Sequence, residues 1–159
     1  MTLDKYYKLH YFVFNKLYSE LPHFRKYHSP EHTLDVLDSL HRIAGAEGIN
    51  AESDILRLST AGLLHDCGFL VSNNDHEENS CELAEKWLPD YDYGSEDIDI
   101  IKSCIMATKI PQNPTHILEE ILCDADLDHL GRSDFEEVGS KLRYELEYFG
   151  IINSANQWY

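Results

Sequence analysis

The run STAGLLHDCGF, residues 59–69, closes an apolar stretch on two adjacent ionisable residues, His65 and Asp66. Counted back at helical spacing, Ile55, Leu58 and Gly62 share the face that carries His65, and Asp66 lies about a quarter turn to its side. Burying even a neutral polar group without a partner costs about 2–7 kcal/mol, so a carboxylate there calls for a pairing charge or a metal. His32 repeats the pattern upstream, standing on one stripe with Val36, Leu40 and Ile43. A third source is CDADLDHLG, residues 123–131, where Asp126 aligns with Leu118 and Leu122 toward the core. Asp124 and Asp128 share the other face, and Asp128 reads as a solvated helix acid. Imidazole nitrogen and carboxylate oxygen together suit a divalent transition metal. Taken singly, each has a plainer reading: a core histidine as a hydrogen-bonded packing residue, and an aspartate at a helix end as a cap or salt-bridge member.

These residues need helices to position them, and the chain reads as helical throughout. An aromatic-rich segment runs from about Leu3 to Leu21 and stops before Pro22. Ser29, Pro30 and Glu31 form a helix start, with a hydroxyl cap, a proline where its missing N–H costs little and an acid in the first turn. That helix reaches about Ala46 and stops near Gly48. A third begins around Asn50 and runs into His65 and Asp66. The loop GFLVSNND leads to a fourth helix, His76 to Leu88, closed by Pro89. Ser95 opens a fifth, which runs toward Pro111. ILEEILCDADLDHLG reads as one amphipathic helix stopped by Gly131, and a last helix runs from Ser133 to Gly150. No segment alternates as a half-buried strand does. The expectation is an all-α, single-domain helical bundle over residues 1–159, with about six to eight helices. The tail INSANQWY opens a new apolar and aromatic pattern, as the start of a further segment or as a frayed terminus.

Composition narrows the function classes. Asp and Glu outnumber Lys and Arg by 29 to 13, for a net charge of −16. That field repels nucleic acid and anionic membranes, and a small anionic substrate would need a bound cation to invert the local sign. No apolar run is long enough for a bilayer, and the N-terminus lacks the pattern of a secretory leader, so the expected location is the cytoplasm. Cys67, Cys81, Cys104 and Cys123 stand singly in apolar segments, as reduced, buried thiols would.

Taken in order, YHSPEHTLDVL (27–37), AGLLHDCGF (61–69), DHEENSCELAEKWL (75–88), IMATKIP (105–111) and CDADLDHLG (123–131) resemble the HD-domain superfamily of metal-dependent phosphohydrolases. The resemblance implies a divalent ion (Mn, Fe, Mg, Co, Ni or Zn, one or two per site) held by His32, His65, Asp66 and Asp126. It adds His76, and after it His116, as ligands where a second ion binds. By the same likeness His28 is a general acid to the leaving alkoxide, Asp66 orients water or bridges two ions, Glu77 (ahead of Ser80) orients water, and Lys109 contacts phosphate, with Arg132 as a second cation. The implied reaction is hydrolysis of a phosphate ester in a nucleotide or small phosphorylated metabolite. Competing expectations are a non-catalytic regulatory module that binds a nucleotide or metal within a signalling protein, and a di-iron oxygenase. The GYP signature of the cyclic-di-nucleotide subgroup and a purine-clamping glutamine are missing. A homodimer or a fused signalling domain completes the set of expected partners.

Overall fold

The structure, a computed structural model, describes residues 1–152, so the tail from residue 153 lies outside the described residues. Seven α-helices form the described chain, which contains no strand: α1 (Leu3–Glu20), α2 (Pro30–Ala46), α3 (Glu52–Leu64), α4 (His76–Trp87), α5 (Ser95–Ala107), α6 (Ile117–Asp126) and α7 (Phe135–Tyr148). Short 3₁₀ turns cover Cys67–Leu70, Leu88–Tyr91 and Asp128–Gly131. The all-α expectation is met, and α2 begins and ends where its cap and glycine signals place it. The Ser29 hydroxyl accepts from the His32 N–H at 3.3 Å, Pro30 follows it, and Gly48 takes a positive φ of 75° just beyond the helix.

α3 is the axial helix. It packs against α2 on one side and α5 on the other, with α6 and α1 closing round it. Leu40 of α2, Leu58, Leu63 and Leu64 of α3, Ile101 and Ile105 of α5, and Ile121 and Leu122 of α6 are fully or almost fully buried and form the common core. Burial of side chains of this size stabilises by about 1.5–3 kcal/mol each. Gly62 permits the close α2–α3 approach, since a Cβ there would stand 2.5 Å from Leu40 Cδ2. The four cysteines are buried and unpaired.

Three boundaries differ from the expectation. α6 ends at Asp126, not Gly131. Its apolar period runs on through Leu127 and Leu130, but the backbone leaves the helix at Leu127 (φ −102°, ψ 8°) and tightens into the 3₁₀ turn. α5 is capped by Gly94, one residue before Ser95, and α7 follows Asp134, not Ser133. Among the described residues no helix is long and apolar enough to cross a membrane.

Candidate metal centre

His32 sits in the first turn of α2, His65 caps the C-terminus of α3, Asp66 follows it, and Asp126 is the last residue of α6. The bundle brings these three helix ends together. His32 Nε2 lies 3.0 Å from Asp126 Oδ1 and 3.6 Å from Asp66 Oδ2, while His65 Nε2 lies 3.3 Å from Asp66 Oδ2 and 3.6 Å from Asp126 Oδ1. One donor atom each from His32, His65 and Asp66 fall within 4.8 Å of one another. The His65 ring Nδ1–H donates to the Gly62 carbonyl at 2.8 Å, which turns Nε2 into the cluster.

Two atoms of this cluster, His65 Nε2 and Asp66 Oδ2, are buried without a hydrogen-bond partner. Orphaned buried polar atoms are expensive, and here they face each other. Burial pushes the His65 imidazole down, but the carboxylates of Asp66 and Asp126 outweigh it and hold the ring well above its ordinary range. Burial pushes the Asp66 and Asp126 carboxyls up, and the surrounding imidazoles overcome it, holding both below the usual carboxylate range. The centre therefore demands positive charge between its carboxylates. A divalent cation meets that demand and leaves the His65 nitrogen free as a ligand, so the residues fit a metal.

A second group of side chains borders the cluster. His76, the first residue of α4, places Nε2 3.6 Å from Asp66 Oδ1 and Nδ1 3.3 Å from the buried Glu77 carboxylate, and its ring stacks on Phe69 at 4.1 Å. Burial, opposed by Asp66 and Glu77, lowers the His76 imidazole. Glu77 thus faces His76 from the core side. The Tyr27 ring packs at a tilt against His32, centroids 4.6 Å apart, with its hydroxyl 3.4 Å from Nδ1 of buried His129. His28, one-fifth exposed, stands 4.5 Å from the Phe69 ring and places Nδ1 2.8 Å from Glu145 Oε2.

The corner between His65 and His76 is locked by one hydroxyl. Ser80, fully buried on α4, donates to the His65 carbonyl at 2.7 Å and accepts from the Gly68 N–H at 2.8 Å. Gly68 is required for the same contact. A Cβ there would fall 1.9 Å from the His76 carbonyl oxygen.

Other expected residues lie elsewhere. Lys109 pairs with Glu78 and, at 3.6 Å, with Asp75, rather than with the cluster. Arg132 is held by Asp35 at 2.8 Å and Asp134 at 3.0 Å. His116 caps the N-terminus of α6, accepting from the Leu118 N–H at 3.3 Å, at the opposite end of the helix from Asp126. Asp128 is not solvated: it accepts from Ser39 at 3.0 Å and Arg42 at 2.6 Å, clamping the turn after α6 onto α2.

The sequence reading did not single out Tyr27, Phe69, Gly68, His129 or Glu145. Glu145 carried a usable signal, because Val138, Leu142, Glu145 and Phe149 follow one another at i, i+4, i+7 and i+11. The carboxylate falls on the stripe of its helix that faces inward. Gly68 carried none, since its role is a contact with α4.

A centre of histidines and aspartates that could hold a metal ion, gathered at helix ends in an all-α bundle, defines a helical domain of the HD type. The HD-domain family model matches residues 31–130, and the chain belongs to that family. A predicted HD superfamily hydrolase from an uncultured Thermotogales bacterium, known as a solved structure, has the same fold. The two superpose with a TM-score of 0.66 at 21% identity, over 89% of this chain and 85% of that one. No curated protein matches the chain in sequence.

Proposed function

We propose that this protein is a metal-dependent phosphohydrolase acting on a phosphate ester in a nucleotide or another small phosphorylated metabolite. The observation that carries the reading is the facing pair of orphaned buried atoms, His65 Nε2 and Asp66 Oδ2, inside a set of two imidazoles and two carboxylates. His32, His65, Asp66 and Asp126 would hold the cation, with His76 beside Asp66 for a second. When bound, a divalent ion supplies Lewis acidity toward a phosphoryl oxygen and brings the pKa of water toward neutrality. The chain's own residues do the rest. Asp66, whose two oxygens face His65 and His76 respectively, orients water between them. Glu77 fixes the His76 ring. His28 hands a proton from Nε2 to the departing alkoxide.

A cleft of about 200 Å³ reaches the cluster at His32 and Tyr27 and carries Lys26, Arg132 and Lys141 on its walls. The same walls carry Glu31, Asp35, Asp134 and Glu137, so an anionic ligand there depends on a cation that these acids do not already hold. Arg132 is tied to Asp35 and Asp134, and Lys141 to Glu137 at 3.6 Å, so Lys26 is the cation we assign to the phosphate in place of Lys109. The supporting experiment is a panel of phosphomonoesters and phosphodiesters with Mn²⁺, Mg²⁺, Co²⁺ or Fe²⁺. Turnover by the wild type that disappears in His65→Ala is the expected result. Metal or nucleotide binding without turnover would replace the reading with the regulatory module, and an iron pair with an oxygen-dependent product would replace it with an oxygenase.

A further inference from the structure

Every helix of the described chain except α7 buries several apolar side chains. On α7 the residues that reach full burial are Gly139 and Glu145, and Glu145 is 1% exposed. The last helix of the described chain therefore buries a carboxylate where the others bury apolar side chains, beside a rim where Tyr148 and Phe149 pack on Phe24 at 4.5 and 5.4 Å. Glu145 Oε1 accepts from the Tyr27 N–H at 2.6 Å and the His28 N–H at 3.0 Å, and Oε2 accepts from Arg25 at 2.9 Å and stands 2.8 Å from His28 Nδ1. Arg25 is itself buried between the rings of Phe69 and Phe149, its guanidinium carbon 3.8 and 4.5 Å from their centres. One carboxylate thus sets the backbone and the ring of the segment that leads into the metal centre. Residues 25–28 and all of α7 lie outside the stretch 31–130 that the HD family match covers.

We infer that α7 is a closing element that completes the site: its docking delivers Glu145 to His28, and Glu145 acts as the positioning residue that turns the His28 Nε2 edge toward the substrate. The inference rests on the phosphohydrolase reading given above. With Nδ1–H engaged by Glu145 in both charge states of the ring, proton exchange at His28 is confined to Nε2. In hydrolysis, the P–O bond to the alcohol breaks as the P–O bond to water forms. The Nε2 proton goes to the departing alkoxide, and the proton released by water restores the ring. α7 also supplies Val138 and Lys141 to the wall of the cleft beside His32, so docking shapes the entrance and orients the acid in one movement. A helix whose apolar side chains are at most half-buried belongs to the low-stability part of the molecule, where closing elements are found.

The test compares the metal-loaded wild type with Glu145→Gln on two esters of the same phosphate, one with an alkyl leaving group and one with p-nitrophenol. A p-nitrophenolate departs without protonation, whereas an alkoxide needs the acid. The expected result is a fall of about 30-fold or more on the alkyl ester with less than about threefold on the nitrophenyl ester, the split that general acid catalysis of 10²–10⁴ implies. His28→Asn should reproduce the split, and adding Glu145→Gln to it should change little. Hydrogen exchange gives an independent arm: α7 amides in Glu145→Gln should exchange at least tenfold faster, with α2 and α3 unchanged. Equal losses on both esters, or no loss on either, would overturn the positioning role. If the wild type turns over neither ester, the hydrolase reading fails, and unchanged α7 exchange in Glu145→Gln would separately overturn the tether. Glu145→Asp, which keeps the charge and retracts the carboxylate, serves where the glutamine variant does not fold and should show the same split.

Discussion

Ser80→Ala removes one oxygen atom from the core, and its consequences follow from two bonds. The Ser80 side chain is fully buried, and its hydroxyl joins the His65 carbonyl at 2.7 Å to the Gly68 N–H at 2.8 Å. Alanine fits the space but leaves both backbone groups without that partner. A buried donor or acceptor left unsatisfied costs about 1–3 kcal/mol, and the two together with little relaxation give about 2–4 kcal/mol. That is a large share of the about 5–15 kcal/mol that holds a domain of this size together. Urea denaturation followed by circular dichroism measures it, and the corresponding fall in melting temperature is about 4–16 °C. Ser19→Ala is the control, since its exposed hydroxyl bonds the carbonyls of its own helix, and it should move stability by less than about 0.5 kcal/mol. A Ser80→Ala variant within about 0.5 kcal/mol of wild type would refute the claim that this hydroxyl locks the corner between His65 and His76.

Three further outcomes are open to measurement. Gly68→Ala forces a Cβ to within 1.9 Å of the His76 carbonyl oxygen, so α4 must shift and stability should fall by about 1–3 kcal/mol. Gly45→Ala on α2 meets nothing within 4 Å and should raise stability by about 0.5–1 kcal/mol; paired melting curves check both signs. Burial pushes the Glu145 carboxyl up, but His28, the Tyr27 amide and Arg25 overcome it and hold the group below its ordinary value of 4.5. Its stabilisation is therefore complete above about pH 4.5 and is lost as pH falls through the lower folded value. The stability gap between wild type and Glu145→Gln should narrow from pH 7 to pH 3.5 in urea titrations, and a gap that widens with acid would contradict the sign.

Helix positions were legible because apolar period and caps agreed. Ser29, Pro30 and Gly48 mark α2 at both ends, and the stripes through His32 and His65 placed both imidazoles inward. The end of α6 was not legible. Leu127 and Leu130 continue the apolar period past a break that Asp128 enforces from outside by binding Ser39 and Arg42 of α2. The apolar stripes marked His32, His65 and Asp126 as inward, but joining them with Asp66 into one donor set came from the likeness to HD domains and not from burial. Lys109 and Arg132 misled because a cation in a sequence does not disclose which carboxylates reach it. The role of Glu145 depends on a contact across more than a hundred residues of chain, and only its place on the inward stripe of α7 announced it.

Metal-dependent stability tests the central claim most directly. With Mn²⁺ at a hundred times its dissociation constant, a cation bound only by the folded chain adds about 2.7 kcal/mol, or about 5–11 °C in melting temperature. That rise is expected for the wild type and should be absent in folded His65→Ala and Asp66→Ala variants. A wild-type melting temperature unmoved by Mn²⁺, Fe²⁺, Co²⁺, Ni²⁺, Zn²⁺ and Mg²⁺, or a shift that persists without His65, would contradict it.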